Sequence, residues 1–270
     1  FQFVRDMTRM DIGVAVFTKG QVLGSDKESK RFNNRYGIKT AEQLCRELYN
    51  YKVSFMLGFQ SFDTEVQDNI VGKEGHSLIR NKALENLVIA GFNNTNPTRL
   101  AICNAPLTQT SYNDAFNIYT YARERGIYPI LSLSMTSGKQ FSSEFLNGID
   151  LTREQKVELF TKIYEWNIIH GLQTLDQIIK EGISSMPGSH PCNQLACGLY
   201  ITANGNVVGC PGFTEYQGNV KYSSIKELWY QSQNCKLRAG LFNCGCPPKE
   251  NTTVPLDLYK EVLEKLKRNL

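Results

Sequence analysis

The residues whose number and spacing could do chemistry are thiols. Six of the eight cysteines fall between positions 192 and 246: Cys192, Cys197, Cys210, Cys235, Cys244 and Cys246. Thiolates hold either zinc or iron–sulfur clusters. Zinc sites of this kind use paired Cys-x2-Cys knuckles, and the chain has none. The irregular spread fits a bulky cluster better than a tetrahedral zinc. His190, beside Cys192, reads as a linker residue. Cys45 and Cys103, in a helical stretch and an apolar run, read as packed core thiols. Six thiols gathered around Asn204-Gly205 in a small, core-poor segment call for a ligand.

Elements must position these groups. The spacing predicts apolar strands over 12–17, 53–57, 99–103 and 128–134, and helices over 40–49, 76–90 and 112–125. Thr40 with Gln43 reads as a capping box, and Gly91 and Gly126 as helix stops. Strand and helix alternate as in a parallel sheet or barrel whose strands are covered on both faces. An eight-stranded barrel, at about 250 residues, does not fit in this stretch. Residues 151–182 read as a helical connector broken near Gly171, and Met186–Pro191 as a linker. Beyond it, 198–210 reads as a hairpin with a type I′ turn at Asn204-Gly205. Ser223–Tyr230 reads as a short capped helix, and 255–269 as an amphipathic helix opened by Pro255.

Composition bounds the partners. The chain has 270 residues, 41% hydrophobic and 21% charged, with net charge +4. Opposite charges are interleaved, so no nucleic-acid surface is indicated. No apolar run approaches the about 20 residues of a membrane span. Residues 1–10 carry Arg5, Asp6 and Arg9 without an apolar stretch, so no signal peptide is read there. A reducing, cytoplasmic setting is expected from thiols without a secretory signal. Phe1 opens as if in mid-helix, which suggests a piece of a longer chain.

Cys192-x12-Gly205-x4-Cys210, followed by Gly218-Asn219-Val220 and Ser224-Ile-Lys-Glu-Leu-Trp229, resembles the auxiliary-cluster (SPASM or twitch) domain of radical S-adenosylmethionine enzymes. The resemblance covers about 190–248. The first half is similar too. Thr18-Lys19-Gly20 resembles the family's "Thr-Asn-Gly". Ser61-Phe-Asp63 through Gly75 resembles its "Ser-x-Asp…His-Asp-x-x-x-Gly". Thr110-x-x-Asn113-Asp114 resembles "Thr-x-x-Asn-x-Asp/Glu". The family's Cys-x3-Cys-x2-Cys and "Gly-Gly-Glu-Pro" are absent from this sequence, so the four strands would be strands three to six. Cys244-x-Cys246-Pro-Pro departs from the usual late cysteines and points to one auxiliary cluster.

The resemblance implies an α/β fold. It comprises a partial (β/α)6 TIM-like barrel over 1–150, a helical connector over 151–189, and a small cysteine-rich hairpin-and-helix domain over 190–270. It implies a [4Fe–4S] auxiliary cluster on Cys192, Cys210, Cys244 and Cys246, with Cys197 or Cys235 as substitutes. It also implies S-adenosylmethionine and a second [4Fe–4S] cluster in the full-length protein, and a flavodoxin or ferredoxin as reductant. The substrate would be a peptide or protein, modified by hydrogen-atom abstraction. Thr18, Ser61, Asn104 and Ser134, at the C-terminal ends of the strands, are the positions to hydrogen-bond ribose, adenine or carboxylate. A reading from another class is a non-catalytic iron–sulfur or zinc module on a barrel remnant.

Overall fold

The structure is a computed structural model. It describes residues 1–134, 149–189, 192, 194–212, 215–232 and 254–270. Two compact units divide it, Phe1–Leu131 and Ser132–Leu270.

The first unit opens with α1 (Gln2–Arg9), β1 (Ala15–Thr18), α2 (Gln21–Gly24), α3 (Asp26–Asn33), α4 (Ala41–Asn50) and β2 (Ser54–Gly58). It continues with α5 (Thr64–Val71), α6 (His76–Ile89), β3 (Leu100–Leu107), α7 (Tyr112–Arg123) and β4 (Tyr128–Leu133). The strands lie in the order β1-β2-β3-β4. Phe17 pairs with Met56, and Met56 with Ala101, both in parallel. The predicted βα alternation is therefore present. The helices start where side chains satisfy orphan N–H groups: Thr40 accepts from the Gln43 N–H, and Asp63 from the Val66 N–H. The Gln43 side chain takes the Lys39 N–H instead of completing a box.

Alternation sorts the strand residues. Phe55, Leu57, Leu100 and Ile102 face the helices and form one core with Leu44, Cys45, Leu48, Ala83, Leu84 and Leu87. Burial pushes the Cys45 thiol up to about 12, as a packed thiol should be. Ala15, Phe17, Met56, Gly58 and Cys103 take the other face. Strands covered on both sides were expected, yet Phe17 is 74% exposed. β1 is an edge of this sheet, and the unit's helices cover only the opposite face. Cys103, expected as a core thiol, is likewise only half-buried, because it points away from Leu100 and Ile102.

The second unit contains α8 (Arg153–Ile169), α9 (Leu175–Glu181), α10 (Gln194–Cys197), β5 (Tyr200–Ile201), β6 (Asn206–Val208), β7 (Gly218–Asn219), α11 (Ile225–Gln231) and α12 (Leu256–Asn269). Capping boxes start three of them: Thr152 with Gln155, Thr174 with Gln177, and Ser224 with Glu227. Leu258, Val262 and Leu266 bury one stripe of α12, which packs on α8. Arg153 also bridges Asp257 and Glu261, at 2.9 and 2.8 Å.

The hairpin differs from the type I′ expectation. The Gly205 N–H donates to Thr202 O, and the Thr202 N–H to Asn206 O. Gly205 has φ +84°, whereas Asn204 is not among the positive-φ residues. This is the three-residue loop, a type I turn closed by a left-handed glycine. A type I′ turn would need positive φ at Asn204 as well.

Candidate functional site

Three of the four polar positions predicted at the strand ends lie in the first unit, and each spends its side chain on the backbone of a loop. The Thr18 Oγ1 accepts the Gly20 N–H at 3.0 Å and closes the turn after β1. Ser61, 1% exposed, donates its hydroxyl to Asp114 Oδ2 and accepts the Asp63 N–H at 3.0 Å. Asn104, fully buried, donates its amide to Gln60 O and Ser111 O at 3.3 and 3.4 Å. Its Oδ1 has no partner. Both donor bonds go to carbonyls, so the amide orientation is settled by chemistry. Ser134 follows β4 in the second unit and is buried.

Alternation explains why. Thr18 shares a face with Val16, and Asn104 with Ile102, and that face is the one packed on helices. The open face at the same level carries Phe17, Gly58 and Cys103. Sequence reasoning passed over Gly58. Its signal was available: a glycine ending an otherwise apolar strand.

Beneath the loop after β2 lies a second group that sequence reasoning missed. Arg80 is fully buried. Its guanidinium donates to Ser61 O at 3.0 Å and Gln67 Oε1 at 2.8 Å, and lies 3.5 Å from the centre of the Phe59 ring. Gln67 Oε1 also accepts the Gln60 and Ser61 N–H groups. Burial pushes the Arg80 pKa down to about 10. His76, 1% exposed, lies against the Lys19 backbone, whose hydrogen bond favours its charged form. Burial holds its pKa below the ordinary value, and the charges of Arg80 and Lys19 act in the same direction.

Of the predicted metal ligands, Cys192 is half-buried, Cys197 is exposed at the end of α10, and Cys210 is buried beyond β6. Cys235, Cys244 and Cys246, and also His190, lie outside the described residues. Among the described residues, no three of His, Cys, Asp and Glu stand together as a metal site.

Solved structures share this architecture. Three are of a protein called anSMEcpe. With bound AdoMet it superposes with a TM-score of 0.55 at 13% identity, over 96% of this chain and 73% of that one. With AdoMet and a Cp18Cys peptide the TM-score is 0.55 at 14% identity, over 96% and 77%. With AdoMet and a Kp18Cys peptide it is 0.56 at 13% identity, over 100% and 82%.

The chain shares its fold with anSMEcpe.

No protein-family model matches the sequence. No curated protein matches it either. In barrels of parallel strands, ligands sit at the C-terminal ends of the strands. Here that end presents Phe17, Gly58 and Cys103 on its open face. Among the described residues, no helix is long and apolar enough to cross a membrane.

Proposed function

We propose that this chain binds AdoMet and a peptide or protein substrate at the C-terminal end of its parallel sheet, as part of a radical SAM enzyme that modifies the peptide by hydrogen-atom abstraction. The observation that carries the reading is a fold shared, over nearly the whole chain, with a protein solved with both AdoMet and peptide. One feature of the open face fits such a ligand: Gly58, the last residue of β2, leaves room that a Cβ would occupy.

AdoMet would supply the hydrogen-abstracting chemistry, and the protein's share is binding, orientation and exclusion of water. Thr18, Ser61 and Asn104 hold the loops that frame the site. Phe17 and Met56 line its open face with apolar surface. Residues 1–270 hold no Cys-x3-Cys-x2-Cys, so this reading gives the chain binding and positioning rather than reductive cleavage of AdoMet.

The same reading places one auxiliary [4Fe–4S] cluster in a domain spanning 190–270, behind a barrel part over 1–150 and a connector over 151–189. Its donors are thiolates, which suit iron–sulfur. The ligands would be Cys192, Cys210, Cys244 and Cys246, with Cys197 or Cys235 as substitutes. The cluster would pass electrons or seat the peptide, and a flavodoxin or ferredoxin would serve as reductant.

Anaerobic reconstitution with iron and sulfide tests the cluster. About four irons per chain and absorbance at about 400 nm are expected. Tightly bound zinc without sulfide would favour a non-catalytic thiolate–metal module instead. Calorimetric titration of the reconstituted protein with AdoMet tests the sheet site, and no heat of binding would overturn that assignment.

A further inference from the structure

A polar side chain buried without a partner costs stability, so a native one needs a cause. Gln217, just before β7, is such a side chain. Its Nε2 and Oε1 are both buried, and neither has a hydrogen-bond partner among the described residues. The next amide on the same strand shows the ordinary pattern. Asn219 donates to Asn204 O at 3.2 Å and to Asn206 Oδ1 at 2.8 Å, and its own Oδ1 accepts the Lys221 N–H at 2.8 Å.

The backbone fixes where Gln217 stands. Its N–H donates to Val207 O at 2.9 Å, while the following residue, Gly218, pairs with the same Val207. Two residues opposite one make a bulge, which takes Gln217 out of the regular alternation and re-aims its side chain. Cys210, itself buried, lies three residues beyond Val207, and the chain that leaves at Cys210 returns at Gln217. Three residues span about 10 Å at most, which keeps the amide in the neighbourhood of this thiol.

The chemistry of the amide selects its partner. A thiolate or a bridging sulfide accepts hydrogen bonds and donates none, and Nε2 brings two N–H donors. Hydrogen bonds to sulfur are among the features that set the potential of an iron–sulfur cluster.

We propose that Gln217 is a positioning residue of the auxiliary cluster, its side-chain amide donating to sulfur at the Cys210 corner and so favouring the reduced, more negative state. This rests on the reading that Cys210 is a cluster ligand.

The test compares reconstituted wild type with Gln217→Met, which keeps the length and loses the donor, and with Gln217→Leu. Iron and sulfide content with a spectroelectrochemical titration gives the cluster and its potential, and thermal melts of the unreconstituted proteins give stability. Without the N–H···S bond, reduction of the cluster should become about tenfold less favourable, a shift of about 59 mV to more negative potential for one electron. Iron content should stay at the wild-type level. Tm should be unchanged or raised in both variants, since an apolar side chain of similar shape removes an unpaired polar group. Should Gln217→Leu fold poorly, Gln217→Met decides. Equal potentials in wild type and Gln217→Met overturn the role of Gln217 while leaving the cluster reading standing. Wild type that takes up no iron and sulfide overturns both.

Discussion

Asp114 holds Ser61 across 53 positions of sequence. One carboxylate oxygen accepts the Ser61 hydroxyl and, at 2.9 Å, the Phe62 N–H. From the other side Arg80 donates to the Ser61 carbonyl. The backbone N–H of Ser61 goes to Gln67. The loop after β2 is thus fixed by groups from α5, α6 and α7 together. Its residues are positioned before any ligand arrives.

A double-mutant cycle on Ser61→Ala and Asp114→Ala should show coupling. Hydrogen bonds to a charged group contribute roughly 1.5–3 kcal/mol, and the pair is buried on the serine side. Urea unfolding of the four proteins measures it. Additive effects would mean that the bond contributes nothing to stability. Arg80→Met leaves the Ser61 carbonyl without its charged donor, and a loss of about 3 kcal/mol is expected by the same measurement.

His76 makes stability depend on pH. Its folded pKa is depressed, chiefly by burial and further by the Arg80 and Lys19 charges, against an opposing hydrogen bond from the Lys19 backbone and the charge of Asp68. The unfolded chain therefore binds more protons. Its stabilising share is complete above the unfolded value of about 6.5 and is lost as pH falls from there through the folded pKa. In His76→Gln the drop in urea midpoint between pH 7.5 and pH 5.5, both about one unit from that value, should be smaller than in wild type. An equal drop would exclude His76 as its source.

Gly218 is required by the hairpin unit. Its φ is +137°, and a Cβ would fall 2.3 Å from Leu228 Cδ2 on α11. Gly218→Ala should cost roughly 1–3 kcal/mol through backbone strain and overpacking. Hydrogen exchange of the Gln217 and Val220 amides, which bond Val207 O and Gly205 O, should accelerate. Unchanged protection there would show that the strand tolerates the methyl.

Local order was legible in the sequence. Thr40, Thr152, Thr174 and Ser224 cap helices through bonds made within three residues. Gly171 breaks the long helix with φ +68°. Such signals need no distant partner, which is why strand and helix order could be read. The hairpin loop shows the limit even there, since Asn-Gly fits two loop lengths and the register with Val207 and Val208 selects one.

The direction in which the polar groups turn was decided only by tertiary structure. By residue type Thr18, Ser61 and Asn104 are all able to bind a ligand. In the fold Thr18 and Asn104 turn to Gly20, Gln60 and Ser111, because the strand face they occupy packs on helices, and Ser61, in the loop after β2, is taken by Asp114 of α7. The bare Gly58 and the exposed Phe17 take the open face for the same geometric reason. A two-residue strand period is visible in sequence, but which of its two faces stays open depends on where the helices pack, and that is a long-range choice.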